Sequence, residues 1–147
     1  MITCKSKEEN IRTYFEQVAE SIGLKSLYSR QEAINLLLEN VDEYPIMVVS
    51  PISSIAYDRV GRPIVPYEIS VVAVCDYDFT EEQTDKLQGE CLQLLNKAIH
   101  KIYYKDSNIL TFESIDSNGL TFAPKYDSHL TGALRNVYLK HKTDICI

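Results

Sequence analysis

The segment from Tyr67 to Tyr103 constrains the fold most, because it joins a strand with two apolar faces to a long amphipathic helix. Between Tyr67 and Cys75 the apolar residues first alternate with polar ones and then continue without interruption, which is typical of a central strand. Thr80 and Gln83 have the spacing of a capping box, so a helix is predicted to begin there. The apolar stripe of this helix comprises Leu87, Cys91, Leu94, Leu95, Ala98, Ile99 and Ile102. A helix with one apolar stripe must bury it, so strand and helix are expected to pack together.

Two further helices are predicted before this unit. Ser6-Lys-Glu-Glu9 is a capping box followed by apolar residues at three- and four-residue steps, so the first helix should cover about 7–22. A short apolar link, residues 24–28, follows it. A second helix is predicted to begin at the capping box Ser29-Arg-Gln-Glu32 and to end before Pro45, because proline cannot continue a helix.

The remaining strands are predicted from short apolar or alternating runs. Ile46–Val49 is a continuous apolar run between two prolines, which indicates a buried strand. Ile109–Ile115 and the shorter segment Leu120–Ala123 flank an Asn-Gly turn, and the alternation over Leu130–Thr143 predicts the last long strand. We therefore predict one α+β domain over residues 1–147. It should hold two N-terminal helices and then an antiparallel sheet of about four strands packed against one long helix.

The segment 51–66 differs from its surroundings, because it combines three prolines with several polar residues. This composition favours a long exposed loop or hairpin arm over regular structure. Its apolar residues would be unfavourable in water, which favours docking onto another subunit; the alternative is a hairpin tip with no partner. We place the candidate interface on four residues of this segment and two residues nearer the C-terminus: Ile55, Tyr57, Val60, Arg62, Tyr126 and Asp127.

Charge and composition argue against several classes of protein. A net charge of -6 opposes non-specific attraction to nucleic acid or to an anionic membrane. No segment approaches the roughly 20 continuous apolar residues that a membrane-spanning helix needs. The four cysteines are widely spaced and form no C-x-x-C pair of a zinc or redox site. Because the N-terminus lacks a hydrophobic run, we expect free thiols in a reducing cytoplasm.

The sequence leads us to expect no enzymatic activity, no metal and no cofactor. The three histidines lack metal-ligand spacing, and no glycine-rich phosphate loop is present. An acidic cluster at the start of the long helix fits a solvated helix N-terminus better than a metal site: Asp76, Asp78, Glu81 and Glu82. A Cys91–His100 dyad would require Cys91 to leave the apolar stripe. A local DNA-binding face remains an alternative, formed by basic residues near the C-terminus: Lys125, Arg135, Lys140, His141 and Lys142.

The order of the predicted elements resembles that of the small neck proteins of tailed phages, of the tail-completion or tail-terminator type. More particularly, the chain is similar to short structural proteins of crAss-like phages in Arg30-Gln-Glu-Ala-Ile34, Tyr44-Pro45, Phe122-Ala-Pro124 and the segment 126–132. Two N-terminal helices depart from the usual tail-terminator pattern.

The resemblance implies a non-enzymatic subunit of a closed homo-oligomeric ring in the neck or tail of a virion, made in the host cytoplasm. It implies neighbouring neck, portal or tail proteins as partners, no membrane, and at most local contact with DNA. No catalytic residue is carried over from the family. Two alternatives of other classes stay open: a small cytoplasmic adaptor or immunity-type binding module, and an enzyme whose site the sequence does not reveal.

Overall fold

The computed structural model describes residues 7–29, 44–52, 55–75, 80–117, 120–125 and 130–141. The predicted second helix falls on residues 30–43, which lie outside the described residues, as do Tyr126 and Asp127.

Two helices are present in the described part of the chain, α1 (Lys7–Ser21) and α2 (Glu81–Tyr104). Both match their predictions closely. The capping box of α2 is confirmed, because the main-chain nitrogen of Gln83 donates to Thr80 Oγ1 at 3.1 Å and the main-chain nitrogen of Thr80 donates to Gln83 Oε1 at 2.8 Å. After α1, Gly23 adopts a φ of 79°, a left-handed conformation that glycine reaches without steric cost and that ends the helix.

The described strands form one mixed sheet. They are β1 (Ser26–Tyr28), β2 (Ile46–Pro51), β3 (Ala56–Tyr57), β4 (Pro63–Val74), β5 (Leu110–Ile115), β6 (Leu120–Lys125) and β7 (Leu130–His141). Their order across the sheet is β1-β2-β4-β7-β5, with β3 also on β4 and β6 also on β7. β1 is parallel to β2, whereas all the other pairs are antiparallel.

The α+β class is therefore correct, but the predicted sheet of about four antiparallel strands is wrong in detail. The predicted apolar link 24–28 contains β1, which is too short to show a strand period in the sequence. β2 and β3 follow one another along one edge of β4, and β5 and β6 do so along one edge of β7. β5 and β6 match the two segments predicted around the Asn-Gly turn, whereas β3 lies in the segment predicted as a loop or hairpin arm.

β4 begins four residues earlier than predicted, within the segment 51–66 that was expected to lack regular structure. Its prolines, Pro63 and Pro66, discourage a strand assignment from sequence, because proline cannot donate to a ladder. β4 nevertheless pairs with β7 from Ile64, opposite Lys140, to Val74, opposite Leu130. Tertiary pairing thus extends the strand through positions that the local sequence disfavours.

The main core lies between the sheet and the two helices. Phe15 of α1, Leu95 of α2 and Ile69 of β4 are completely buried there. Val71 and Ala73 are buried as predicted, but Leu94 is only partly buried at the margin of this core. A smaller apolar cluster on the opposite face of the sheet contains Ile46, Val48, Val72 and Leu130.

Candidate interaction surface

The hairpin arm comprises residues 55–64, that is β3, the turn that follows it and the start of β4. β3 and β4 pair antiparallel, and the Asp58 nitrogen donates to the Arg62 carbonyl at 3.0 Å. Asp58 Oδ1 accepts hydrogen bonds from the main-chain nitrogens of Val60, at 3.0 Å, and Arg62, at 2.9 Å. Gly61 has a φ of 85°, so the turn needs a residue that tolerates the left-handed conformation. The turn is therefore ordered by its own hydrogen bonds.

An ion-pair relay connects the arm to the rest of the sheet. Asp58 Oδ2 lies 3.4 Å from Lys140 Nζ on β7, and the same Nζ lies 3.4 Å from Glu113 Oε2 on β5. The hydrogen bond from the Arg62 main chain lowers the pKa of Asp58 from its usual value, and Val60 and the Lys140 ammonium act in the same direction. Asp58 thus stays ionised. Its contact with Lys140 ties the arm to β7, and Lys140 in turn contacts β5.

The arm presents apolar side chains to solvent. Ile55 is 44% exposed, Tyr57 65% and Val60 76%. Arg59 and Arg62 are also exposed on the same turn. The structure thus brings together Ile55, Tyr57, Val60 and Arg62 of the predicted interface, while the other two predicted residues lie outside the described part of the chain. Large apolar side chains that are exposed to water at the tip of an ordered hairpin indicate a binding surface.

A second exposed cluster, which sequence reasoning missed, lies where α2 ends and β5 begins. Tyr103 is 57% exposed and Tyr104 72%. Tyr103 contacts both Tyr104 and Phe112 edge to face, with ring centroids 4.8 and 5.0 Å apart, and His100 stacks on Tyr104 at 5.4 Å. A shallow open depression of about 370 Å³ adjoins it. Two consecutive tyrosines at the end of the apolar stripe were the only sequence signal for this aromatic cluster.

The basic residues near the C-terminus do not gather into a DNA-binding face where the structure describes their side chains. Arg135 Nη2 donates to the Asp116 carbonyl at 2.9 Å, and Lys140 takes part in the ion-pair relay. His141 is buried, with its Nε2 3.2 Å from the Tyr67 hydroxyl. Alternation along β7 places Lys140 on the face opposite to Arg135 and His141. Each of these three groups is engaged inside the molecule, which argues against this alternative.

Asn136 and Tyr138 lie on the same face of β7 as Lys140 and form a hydrogen-bonded group with Asp116. Asn136 Nδ2 donates to Asp116 Oδ2 at 3.2 Å. Tyr138 hydrogen-bonds the same carboxylate, which raises the pKa of its phenol above the usual value. The group fixes the end of β5 against β7.

The surroundings of Cys91, the candidate nucleophile, and of Glu81 and Glu82, two candidate metal ligands, indicate structural roles for these residues. Cys75 and Cys91 are buried thiols, and burial raises the pKa of Cys91 to about 11, so Cys91 remains protonated and unreactive at neutral pH. Glu81 and Glu82 are exposed in the first turn of α2, where the helix dipole favours them. Among the residues that the structure describes, no group of three or more His, Cys, Asp or Glu side chains could hold a metal ion.

Neither helix of the described ranges is long and apolar enough to cross a membrane. In comparisons with known proteins, the sequence matches no family model and no curated protein.

Proposed function

We propose that this protein is a non-enzymatic structural subunit that assembles through its hairpin arm into a ring of a phage neck or tail. The observation that carries the proposal is the exposure of Ile55, Tyr57 and Val60 on an arm held by hydrogen bonds and ion pairs. An apolar surface that is already ordered loses little conformational entropy on binding, so more of the contact energy appears as affinity.

The chemistry of the arm suits a protein partner. Tyrosine offers a large apolar ring with a polar tip, and arginine pairs well with carboxylates at the rim of an interface. The arm carries both types, with Tyr57 on β3 and two arginines in the turn. A lone monomer would leave this apolar surface in water, which favours a state in which a neighbour covers it.

The placement in a neck or tail ring is supported by the resemblance in element order described above. In a ring each subunit uses one surface to bind and a different one to be bound, and the contacts close by rotation. Neighbouring neck, portal or tail proteins would cover the remaining faces. DNA would touch the ring at most locally, in keeping with the net charge of -6.

Native mass spectrometry of the purified protein, with electron microscopy of particles that contain it, tests this proposal. We expect a closed oligomer of fixed copy number. Tyr57→Ser combined with Val60→Ser should leave the fold intact and prevent assembly, because these side chains are exposed in the isolated subunit. Tyr103→Ser with Tyr104→Ser, an equally exposed aromatic pair elsewhere, is the matched control. A monomer at every concentration, in no particle, would contradict the proposal.

A small adaptor or immunity-type binding module is the second candidate, and the exposed aromatic cluster of Tyr103, Tyr104 and Phe112 favours it. Such a module would capture one partner on a preformed surface without oligomerising. In that case the Tyr103 and Tyr104 substitutions, rather than those in the arm, would abolish partner capture.

A further inference from the structure

We propose that the hairpin arm of one copy docks on the outer face of α2 of a second copy, over Gly89. This inference rests on the proposed assembly function and deepens it by naming the surface that receives the arm.

The charge of the arm favours a second copy of the chain as its binding partner. Residues 55–62 contain two arginines and one aspartate, so the remainder of a chain with net charge -6 carries -7. Asp58 is paired with Lys140, and both Arg59 and Arg62 are exposed to solvent. A second copy therefore attracts the arm, whereas two arms repel each other.

The aromatic cluster is a poor receiver for the arm, although it is apolar. The final turns of α2 carry Lys97 and Lys101, which are exposed and lie seven and three residues before Tyr104, on the same side of the helix. These ammonium groups would face the two arginines of an incoming arm, and like charges brought together across an interface oppose binding.

The first half of α2 has the opposite charge. Residues 81–90 contain four acidic residues and one basic residue, Lys86. Glu82 and Asp85 are exposed there. They lie seven and four residues before Gly89, so helical periodicity places all three on one side of the helix.

Gly89 is a second feature of this surface and is independent of its charge. It is exposed inside the 24-residue helix α2, and an added Cβ would meet no atom within 4 Å. Glycine in a helix interior lowers helix stability relative to alanine, and neither packing nor a left-handed conformation calls for it at this position. The missing side chain leaves a gap on the helix where the backbone or side chains of another chain can come close.

The two surfaces lie towards opposite ends of the subunit. The arm joins the N-terminal end of β4, and α2 begins shortly after the C-terminal end of that strand. Twelve strand residues span about 40 Å. Each copy therefore offers its arm at one end and its Gly89 face nearer the other, the arrangement of a head-to-tail contact that a ring requires.

The substitution Gly89→Gln tests the proposal without weakening the fold, because glutamine is a good helix former and the site has open space. We expect a raised unfolding temperature together with association weakened at least about tenfold, measured by sedimentation velocity over a range of concentrations. Lys101→Arg, at an exposed position of the same helix about 18 Å further along from Gly89, keeps the charge and the helix propensity; it should change neither property and serves as the control.

A charge exchange provides the second test. Arg59→Glu with Arg62→Glu, and separately Glu82→Arg with Asp85→Arg, should each weaken association, and a chain carrying all four changes should regain it. Failure of the combined chain to regain association, or wild-type association of Gly89→Gln, would overturn the docking site.

The outcomes separate this proposal from the proposed function. If the Tyr57 and Val60 substitutions prevent ring formation while Gly89→Gln forms rings normally, the ring remains and the docking site is wrong. If the unmodified protein never associates, both are wrong. A third outcome is that the protein binds a duplex DNA probe and that the variant Arg59→Glu with Arg62→Glu does not. The arm would then bind nucleic acid, and docking on a second copy would be overturned.

Discussion

Replacing Gly132 with alanine should destabilise the protein more than any other single-methyl addition to its described glycines. Gly132 lies in β7, opposite Val72 of β4, in the central ladder of the sheet. β7 and β4 approach each other closely at this position. A methyl group at this position would point into the neighbouring strand rather than into solvent.

The magnitude follows from the distances. An added Cβ would lie 1.9 Å from the Val71 carbonyl oxygen and 3.1 Å from the Val72 Cα. Non-bonded carbon atoms are most stable about 3.5 to 4.0 Å apart, so the two strands would have to separate by about 1 Å or more. Overpacking of this kind costs about 1–3 kcal/mol, and each ladder hydrogen bond that lengthens adds about 1 kcal/mol. We expect a loss of about 3 kcal/mol, a large part of the roughly 5–15 kcal/mol that stabilises an ordinary domain.

Urea denaturation followed by far-ultraviolet circular dichroism measures this loss, and the chain has no tryptophan for a fluorescence readout. Gly89→Ala is the matched control, because the same methyl group enters open space and should stabilise the helix by about 0.5–1 kcal/mol. A loss below about 1 kcal/mol for Gly132→Ala, or effects of the same sign at the two glycines, would refute the close approach of β4 and β7.

Three further predictions concern the core, the arm and the buried thiol. Leu95→Ala should cost about 2–5 kcal/mol in urea denaturation and Glu82→Ala no more than about 0.5, since Leu95 is fully buried and Glu82 exposed; equal costs would contradict the packing of α2. The pKa of Asp58 is lowered in the folded protein, so its hydrogen bonds should persist above the ordinary aspartate pKa and be lost as pH falls through the folded value. Solvent exchange of the Val60 and Arg62 amide protons should then accelerate beyond its intrinsic pH dependence, and Asp58→Asn should show no such step. Cys91, with a pKa raised to about 11, should resist alkylation at pH 8 until urea unfolds the protein, and rapid labelling of the native state would show that the thiol is not buried.

The sequence by itself determined the elements whose signals are local. α1 and the start of α2 were predicted almost to the residue, because a capping box and a three- to four-residue apolar period act within one helix. The buried half of β4 followed from its two apolar faces. The apolar residues of the arm were also visible, since Ile55, Tyr57 and Val60 stand in a segment rich in proline and polar residues.

Only the tertiary structure decided the features that depend on residues far apart in the chain. β1 exists because β2 offers it a parallel partner, and β4 extends through two prolines because β7 pairs with it. Lys140 joins Asp58 to Glu113 instead of contributing to a DNA-binding face, which the basic residues near the C-terminus had left as an alternative. Leu94 and Leu95 both fit the apolar stripe, yet only the packing of α2 on the sheet decided which is fully buried. Helix and strand propensity and hydrophobic periodicity act over a few residues. Strand pairing, ion pairs and burial depend instead on contacts between residues that are far apart in the sequence.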